Sequence, residues 1–224
     1  MNAARFSVGL EGVSIAERAF QRAVAYAKDR LQGKELTGGG TKTVPIIRHP
    51  DVRRMLMLMK SQIEAMRALA YFSASTLDKV KRHPDAGEKR RSQALLDLLT
   101  PIVKAWCTEQ CIEIASLGVQ IHGGMGFVEE TGAAQFLRDA RITTIYEGTT
   151  GIQANDLVGR KVGYEKGATA FAVIGEMRKT ANGMNALGGD LVNNGKSLND
   201  AINALEHVGG DRKSTRLNSS HGYI

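Results

Sequence analysis

Apolar positions recur along the first part of the chain with the spacing of amphipathic helices. Between Phe6 and Ala27 they lie three, four or seven residues apart, which predicts a first helix with one buried stripe. That stripe consists of Phe6, Leu10, Val13, Phe20, Val24 and Ala27. Residues 32–50 contain Gly33, a run of three glycines, Pro45 and Pro50, and they predict a loop because neither residue type continues a helix.

The same periodicity predicts a second helix from Asp51, which is a plausible N-cap. Its buried side is formed by Val52, Met55, Leu56, Met59, Ile63, Met66 and Ala70. Four methionines, Met55, Met57, Met59 and Met66, belong to this helix. Filling gaps in a core is the more plausible use of such residues than a methionine-lined binding surface.

A third helix is predicted from Glu88 to Leu117, and its apolar residues cover more than one stripe, as expected of a central helix. Pro101 predicts either a kink or a restart in which Thr100 is the cap. Shorter helices are predicted over 131–141 and 149–162. No segment up to residue 162 alternates with period two, so we expect an all-α antiparallel helical bundle without a sheet. Two further helices are expected over 167–182 and 196–207.

Composition narrows the possible functions. The chain has 224 residues and a formal charge of +7, but its basic residues alternate with acidic ones and lack interleaved aromatic residues. We therefore expect no nucleic-acid partner. The two cysteines, Cys107 and Cys111, are expected to be buried rather than redox-active, and no metal site is expected. The absence of a long apolar run predicts no membrane partner and a cytoplasmic location.

The segment from Gln120 to Gln153 carries the chemistry. It begins with a glutamine before a Gly-Gly-x-Gly turn, where backbone amides can approach a phosphate or a flat ring because no Cβ intervenes. It also contains Glu147, a lone carboxylate that follows Ile145 and Tyr146. Desolvation by these neighbours would raise the pKa of Glu147 toward that of a useful base. Without its motif, an exposed glutamate at a helix start would merely favour the helix dipole.

Together these signals, including the motif IYEGT, resemble the C-terminal signature of the acyl-CoA dehydrogenases. That resemblance implies an FAD-dependent enzyme that introduces a double bond between Cα and Cβ of an acyl-CoA thioester. Glu147 would be the catalytic base for the α-proton, and the β-hydride would move to flavin N5. An acyl-CoA oxidase of the same fold is an alternative, and so is a non-catalytic helical interaction module.

The resemblance also assigns binding residues by position. Those for FAD are Arg30, Gln32, Gln120, Gly123, Gly124 and Thr149, and those for the substrate are Arg5, Tyr146 and Gly148. Gly151 stands where many members have glutamine. His122 is more plausible as a packing residue than as a second acid or base, because lone histidines are rarely ligands. An electron-transfer flavoprotein is the implied electron acceptor, and a homodimer or homotetramer the implied assembly.

Within the family, the segments AKDRLQGK and PIIRHPDVRRMLMLMK resemble the 3-(methylthio)propanoyl-CoA dehydrogenase subgroup most. Members carry a helical and a β domain before this bundle, so we expect Met1 to be an internal methionine. A chain made without those domains is expected to be inactive and to hold FAD poorly. Residues 163–210 are similar to part of a C-terminal extension. Residues 211–221, DRKSTRLNSSH, resemble a translated sequencing adapter codon by codon, so 211–224 are expected to be a disordered artefactual tail.

Overall fold

A computed structural model of the protein describes residues 2–35 and 41–218, with side chains as far as residue 206. The chain divides into two compact units, Met1–Leu157 and Val158–Ile224. The helices of the first unit are α1 (Asn2–Asp29), α2 (Pro50–Arg82), α3 (Ala86–His122), α4 (Gly124–Phe127), α5 (Ala133–Thr143) and α6 (Thr150–Asp156). The all-α bundle predicted from the sequence is confirmed.

A short hairpin corrects one prediction. Strands β1 (Leu31–Lys34) and β2 (Thr43–Pro45) pair antiparallel, with Leu31 opposite Pro45 and Lys34 opposite Thr43. The expectation of a loop without any sheet over this span was therefore wrong. Apolar periodicity does not reveal the hairpin because every residue of β1 is exposed, so backbone pairing rather than a buried apolar face defines it. Residues 36–40, which include the glycine run, lie outside the described residues.

Small residues line the contact between α1 and α3. A Cβ on Gly9 would lie 2.6 Å from Cγ1 of Val103, and one on Gly12 would lie 2.8 Å from the carbonyl oxygen of Cys107. The other buried residues of α1 are Arg5, Val8, Val13, Ala16, Ala19, Ala23 and Ala27. The larger members of the predicted stripe, Phe6, Leu10, Phe20 and Val24, are only partly buried beside this core.

The three long helices run up, down and up. α1 and α3 are parallel, because the contact of Gly9 with Val103 is followed, further along both helices, by that of Ala19 with Gly118. α2 begins beside the end of α1, where the N–H of Ile46 donates to the carbonyl of Arg30 at 2.8 Å. Consecutive long helices are therefore antiparallel, as predicted.

The start of α2 differs from the prediction. His49 occupies the N-cap position, Pro50 is the first helical residue, and Asp51 pairs with Arg54 at 2.8 Å instead of capping. Proline suits the first turn because its fixed φ is helical and its missing N–H has no partner there anyway. The predicted core face is buried, with Val52 only partly so. Met57, for which a core role was also expected, is 71% exposed.

α3 is one uninterrupted helix through Pro101. The hydroxyl of Thr100 donates to the carbonyl of Leu96 at 2.7 Å, inside the helix, so the restart with Thr100 as cap was wrong. The helix begins instead at Asp85, whose carboxylate accepts from the N–H of Glu88 at 2.6 Å. Cys107 and Cys111 are both buried, as expected, and burial raises the pKa of each thiol to about 12.

The second unit contains α7 (Ala168–Leu187) and α8 (Leu191–Asn218), where the sequence predicted two helices. α8 runs further than predicted, so residues 211–218 have a helical backbone where we expected disorder. Extending an existing helix costs little free energy, because each added residue forms one backbone hydrogen bond while only one further residue has its backbone ordered. Residues 219–224 lie outside the described part, and the adapter origin of the segment remains a prediction.

The contact between α1 and α3 leads to a stability prediction for Gly12→Ala. The new Cβ would meet backbone atoms of Cys107 and Thr108, which cannot rotate away. We expect a loss of about 1–3 kcal/mol in the free energy of unfolding, even though alanine favours a helix over glycine. Urea denaturation followed by circular dichroism would measure it. Gly175→Ala in α7, where the Cβ meets open space, is the control and should be neutral or stabilising; equal effects of the two would contradict the close contact.

Candidate active site

The loop between α5 and α6 carries Glu147 on an unusual backbone. Glu147 has a φ of 54° and Gly148 a φ of 90°. A residue with a Cβ in this left-handed region costs about 1–3 kcal/mol, so it persists only where the surroundings hold it. The loop is closed by the N–H of Thr150, which donates to the carbonyl of Thr144 at 3.2 Å.

Gln153 holds this loop, and it is not among the residues predicted from the sequence. Its side chain is buried, and Nε2 donates to the carbonyls of Glu147 at 3.3 Å and Gly148 at 3.1 Å. A Cβ on Gly148 would lie 2.7 Å from that nitrogen, so glycine is required there. The side chains of a helix point toward its N-terminus. A glutamine in the first turn of α6 could therefore have been predicted to contact the preceding loop.

Two threonines fix the start of α6. Thr149 is the N-cap, and its hydroxyl accepts from the N–H of Ile152 at 3.4 Å. The hydroxyl of Thr150 donates to the carboxylate of Glu109 on α3. Both threonines, together with Glu109 and Arg141, line a shallow depression. Thr149 is therefore beside the loop, where the sequence placed it, and its exposed position leaves it accessible to a ligand.

The side chains around Glu147 leave its carboxylate in water. Glu147 is exposed, and the neighbouring Ile145 is 46% exposed. The desolvation expected from Ile145 and Tyr146 is therefore not provided by this chain. Tyr146 turns instead toward α1, where its hydroxyl donates to the carboxylate of Glu11. Burial and the Glu11 carboxylate raise the pKa of Tyr146 to about 12.

A buried ion pair joins α1 to α6. Nη1 of Arg5 donates to Oδ2 of Asp156 at 2.7 Å, and the two side chains are 8% and 2% exposed. This pair joins the start of α1 to the end of α6. The guanidinium of Arg5 is thus engaged by Asp156, and its predicted place beside the catalytic loop and the substrate remains a prediction.

The glycine turn lies at the far end of α3. Gly123 ends the helix with a φ of 61°, and its N–H donates to the carbonyl of Gln120 at 3.0 Å. A Cβ on Gly123 or Gly124 would meet nothing within 4 Å, so the turn presents an open backbone surface. The side chain of Gln120 is exposed beside it.

His122 packs behind this turn. Its Nδ1 donates to the carbonyl of Gly118 at 2.7 Å, and its ring stacks on Tyr26 with 4.3 Å between the centroids. Burial lowers the pKa of His122 below its ordinary value. The buried, stacked ring supports the packing role that the sequence favoured over acid–base chemistry.

Arg30 and Gln32 lie at the same end of the bundle as the turn. The N–H of Arg30 donates to the carbonyl of Tyr26, which stacks on His122, and both Arg30 and Gln32 are exposed. Glu147 is elsewhere: its loop contacts Glu109, eleven positions before Gln120 on α3. That corresponds to about 16 Å along the helix axis at 1.5 Å per residue. The structure therefore groups these predicted cofactor residues at one end of the bundle. The residues around the candidate base Glu147 form a separate group.

The part of the chain that the structure describes contains neither a metal site nor a membrane-spanning helix. Within the described residues, histidine, cysteine, aspartate and glutamate form no cluster of three or more that could hold an ion. The described helices also lack the length and apolarity needed to cross a membrane.

Comparison with known proteins assigns the chain to a family. Residues 1–162 match the model of the acyl-CoA dehydrogenase C-terminal domain. The chain belongs to the acyl-CoA dehydrogenase family. It is 55% identical over 170 residues to 3-methylmercaptopropionyl-CoA dehydrogenase of Ruegeria pomeroyi, covering 76% of this chain and 29% of that protein. This similarity supports the subgroup that the sequence suggested.

Two other relatives extend the comparison. Subunit CarC of the caffeyl-CoA reductase-Etf complex of Acetobacterium woodii is 31% identical over 154 residues, covering 68% of this chain and 35% of that protein. The solved structure of butyryl-CoA dehydrogenase from Megasphaera elsdenii has a TM-score of 0.56 and 31% identity, covering 70% of this chain and 36% of that one. The chain thus spans about a third or less of the length of these relatives.

Proposed function

We propose that this chain is part of an FAD-dependent acyl-CoA dehydrogenase in which Glu147 removes the α-proton of an acyl thioester. The observation that carries the proposal is the loop backbone: Glu147 is held at a left-handed φ by Gln153 and by the Thr149 cap. A strained, well-supported residue in a motif of this family is what a positioned base requires.

The backbone of Glu147 also suits a second task. As the α-proton leaves, negative charge grows on the thioester oxygen, and an oriented N–H stabilises that charge best. The described residues make no hydrogen bond with the N–H of Glu147. It can therefore donate to the thioester carbonyl while the side chain takes the proton. Gly148 and Tyr146 would shape the slot beside it.

FAD fits the residues at the other end of the bundle. The open backbone of Gly123 and Gly124 admits a flat ring or a phosphate, and the exposed amide of Gln120 offers further hydrogen bonds. The guanidinium of Arg30 suits a pyrophosphate because its donors form a planar fork. When bound, FAD would supply the acceptor for the β-hydride. Thr149 would contact the flavin near the base.

The distance between the residues around Glu147 and the residues at the Arg30–Gln120 end supports an assembly of several subunits. Because about 16 Å of α3 lies between Glu109 and Gln120, the base and the Arg30–Gln120 end can serve cofactors bound to different subunits. We therefore propose a homodimer or homotetramer in which each cofactor is shared. Size-exclusion chromatography with light scattering tests this, and a monomer that retains FAD would contradict it.

The proposed acceptor is an electron-transfer flavoprotein, supported by a relative whose name places it in an Etf complex. The test uses the purified protein that carries this chain, mixed anaerobically with a panel of acyl-CoA thioesters that includes 3-(methylthio)propanoyl-CoA. We expect the flavin to bleach and then to pass electrons to the flavoprotein. Stoichiometric peroxide on admission of oxygen would indicate an oxidase instead. Failure of every thioester to reduce the flavin would contradict the proposal.

A further inference from the structure

The hairpin that follows α1 has little of its own to hold it in place. Every residue of β1 is exposed, so no buried side chain anchors the strand. Its pairing with β2 is irregular between Leu31 and Lys34, where Gly33 has a φ of 70°. An isolated two-stranded hairpin is at best marginally stable in water. The position of β1, and with it that of Arg30 and Gln32, therefore depends on contacts from outside the strand pair.

Hydrogen bonds tie this segment to the rest of the bundle. Just before β1, the N–H of Arg30 donates to the carbonyl of Tyr26 at 2.9 Å, and its carbonyl accepts from the N–H of Ile46 at 2.8 Å. Within β1, the carbonyl of Gln32 accepts from Nε2 of His49 at 2.7 Å. A carbonyl oxygen can only accept, so Nε2 carries the proton in this pair. The imidazole of His49 is thus a side chain that holds β1 at Gln32.

His49 is itself held firmly. It is the N-cap of α2, where its carbonyl accepts from the N–H of Arg53 at 3.1 Å and its N–H donates to the carbonyl of Ile46 at 3.0 Å. Pro50 follows it, and a residue before proline is restricted to extended backbone, which agrees with a ψ of 134° at His49. Ile46 belongs to the buried core. His49 therefore connects β1 to the core through backbone that is fixed on both sides.

The side chain of His49 serves β1 and not the helix that it precedes. The imidazole makes no hydrogen bond to the first turn of α2, whereas aspartate, asparagine, serine or threonine would cap that turn. Instead the ring packs on β1, because a Cβ on Gly33 would lie 3.4 Å from its Cε1. The nearby ion pair of Arg48 with Glu35 spans 3.1 Å, but the arginine is 61% exposed, so it contributes little to holding the strand.

We propose that His49 is a positioning residue for FAD, which holds β1 so that the side chains of Arg30 and Gln32 are in place before the cofactor binds. This inference rests on the proposed FAD site at this end of the bundle. A binding segment that is already ordered loses less entropy on association, so the affinity is higher. His49 itself touches neither FAD nor the acyl thioester in this arrangement.

Loss of the imidazole should weaken the binding of FAD and leave the chemical step alone. One intramolecular hydrogen bond corresponds to a factor of about 3–10 in an equilibrium constant, so His49→Phe should raise the Kd for FAD by that factor. At saturating FAD the kcat should match that of wild type, because the loop of Glu147 lies about 16 Å away along α3.

The experiment uses the full-length protein that carries this chain, stripped of FAD and then titrated with FAD while the flavin fluorescence is recorded. His49→Gln keeps a side-chain N–H at a similar reach and should restore most of the affinity that His49→Phe loses. His83→Phe removes another half-buried histidine, at the other end of α2, and should leave the Kd unchanged. If phenylalanine prevents folding at position 49, His49→Leu is the replacement.

Three results would overturn the proposal. The first is a folded His49→Phe protein with the wild-type Kd for FAD. The second is a glutamine variant that binds FAD no better than the phenylalanine variant. The third is a kcat at saturating FAD that falls together with the affinity, because general damage to the fold would then explain both changes.

Hydrogen exchange in the FAD-free protein separates this inference from the proposed function. If the wild type binds no FAD, the proposed function fails, but the hold of His49 on β1 can still be measured. The N–H of Ile46, which donates to the carbonyl of Arg30, should exchange faster in His49→Phe than in wild type or in His83→Phe. Equal rates in all three proteins would show that His49 does not position this segment.

Discussion

Glu147→Gln should lower kcat by a factor of about 10²–10⁴ in the protein that carries this chain, with FAD and acyl-CoA still bound. Glutamine preserves the volume of the side chain and the backbone N–H, but it cannot accept the α-proton. The loop should also keep its shape, because Gln153 and Thr149 hold main-chain groups and not the carboxylate. Anaerobic stopped-flow measurement of flavin reduction isolates the chemical step.

The control for this variant is Glu130→Gln, which removes an exposed carboxylate between the glycine turn and α5. It should change flavin reduction by less than a factor of two. Binding of acyl-CoA to Glu147→Gln, measured from the perturbed flavin spectrum, verifies that the site is intact. If Glu147→Gln keeps more than about a tenth of the wild-type kcat, another residue must be the base.

Asp156→Asn should lower the free energy of unfolding by about 3–5 kcal/mol, because it leaves the guanidinium of Arg5 buried without its counter-charge. The side chains of this pair are 8% and 2% exposed, so water cannot replace the lost carboxylate without opening the structure. Chemical denaturation followed by circular dichroism measures the loss.

An exposed ion pair provides the matched comparison. Asp51 and Arg54 lie 2.8 Å apart on α2, but their side chains are 72% and 61% exposed. Asp51→Asn should therefore change the stability by less than about 1 kcal/mol. A similar small effect of Asp156→Asn would mean that Arg5 finds another partner or rotates into water.

The long helices could be predicted from sequence because their buried faces are large and apolar. α2 is the clearest case: Met59, Ile63 and Met66 are spaced as helical neighbours and are all buried. α1 was placed correctly, but its buried face was predicted only in part: Val13 and Ala27 are buried, whereas the buried glycines and other alanines were missed because they carry little hydrophobic signal. The hairpin also escaped detection, because a fully exposed strand has no buried apolar alternation to recognise.

In the candidate site, too, some residues could be predicted from the sequence and others could not. Glu147 and the glycine turn were identifiable because a motif fixes residue types at fixed spacing. The supporting residue Gln153 was not: its burial depends on which helices pack together, and polar residues in a helix normally predict an exposed face. The left-handed φ of Glu147 was equally hidden, because only Gly148 beside it signals an unusual backbone.

The ion pair between Arg5 and Asp156 also sets an order of events during protein synthesis. The two residues are 151 positions apart, and ribosomes add about 5–20 residues per second, so Arg5 precedes its partner by roughly 8–30 s. Throughout that interval the guanidinium can be stabilised only by water or by other ligands. The nascent first helix therefore cannot form this buried ion pair until the last helix of its unit has been translated, and a pause before Asp156 would lengthen the time for which Arg5 lacks its counter-charge.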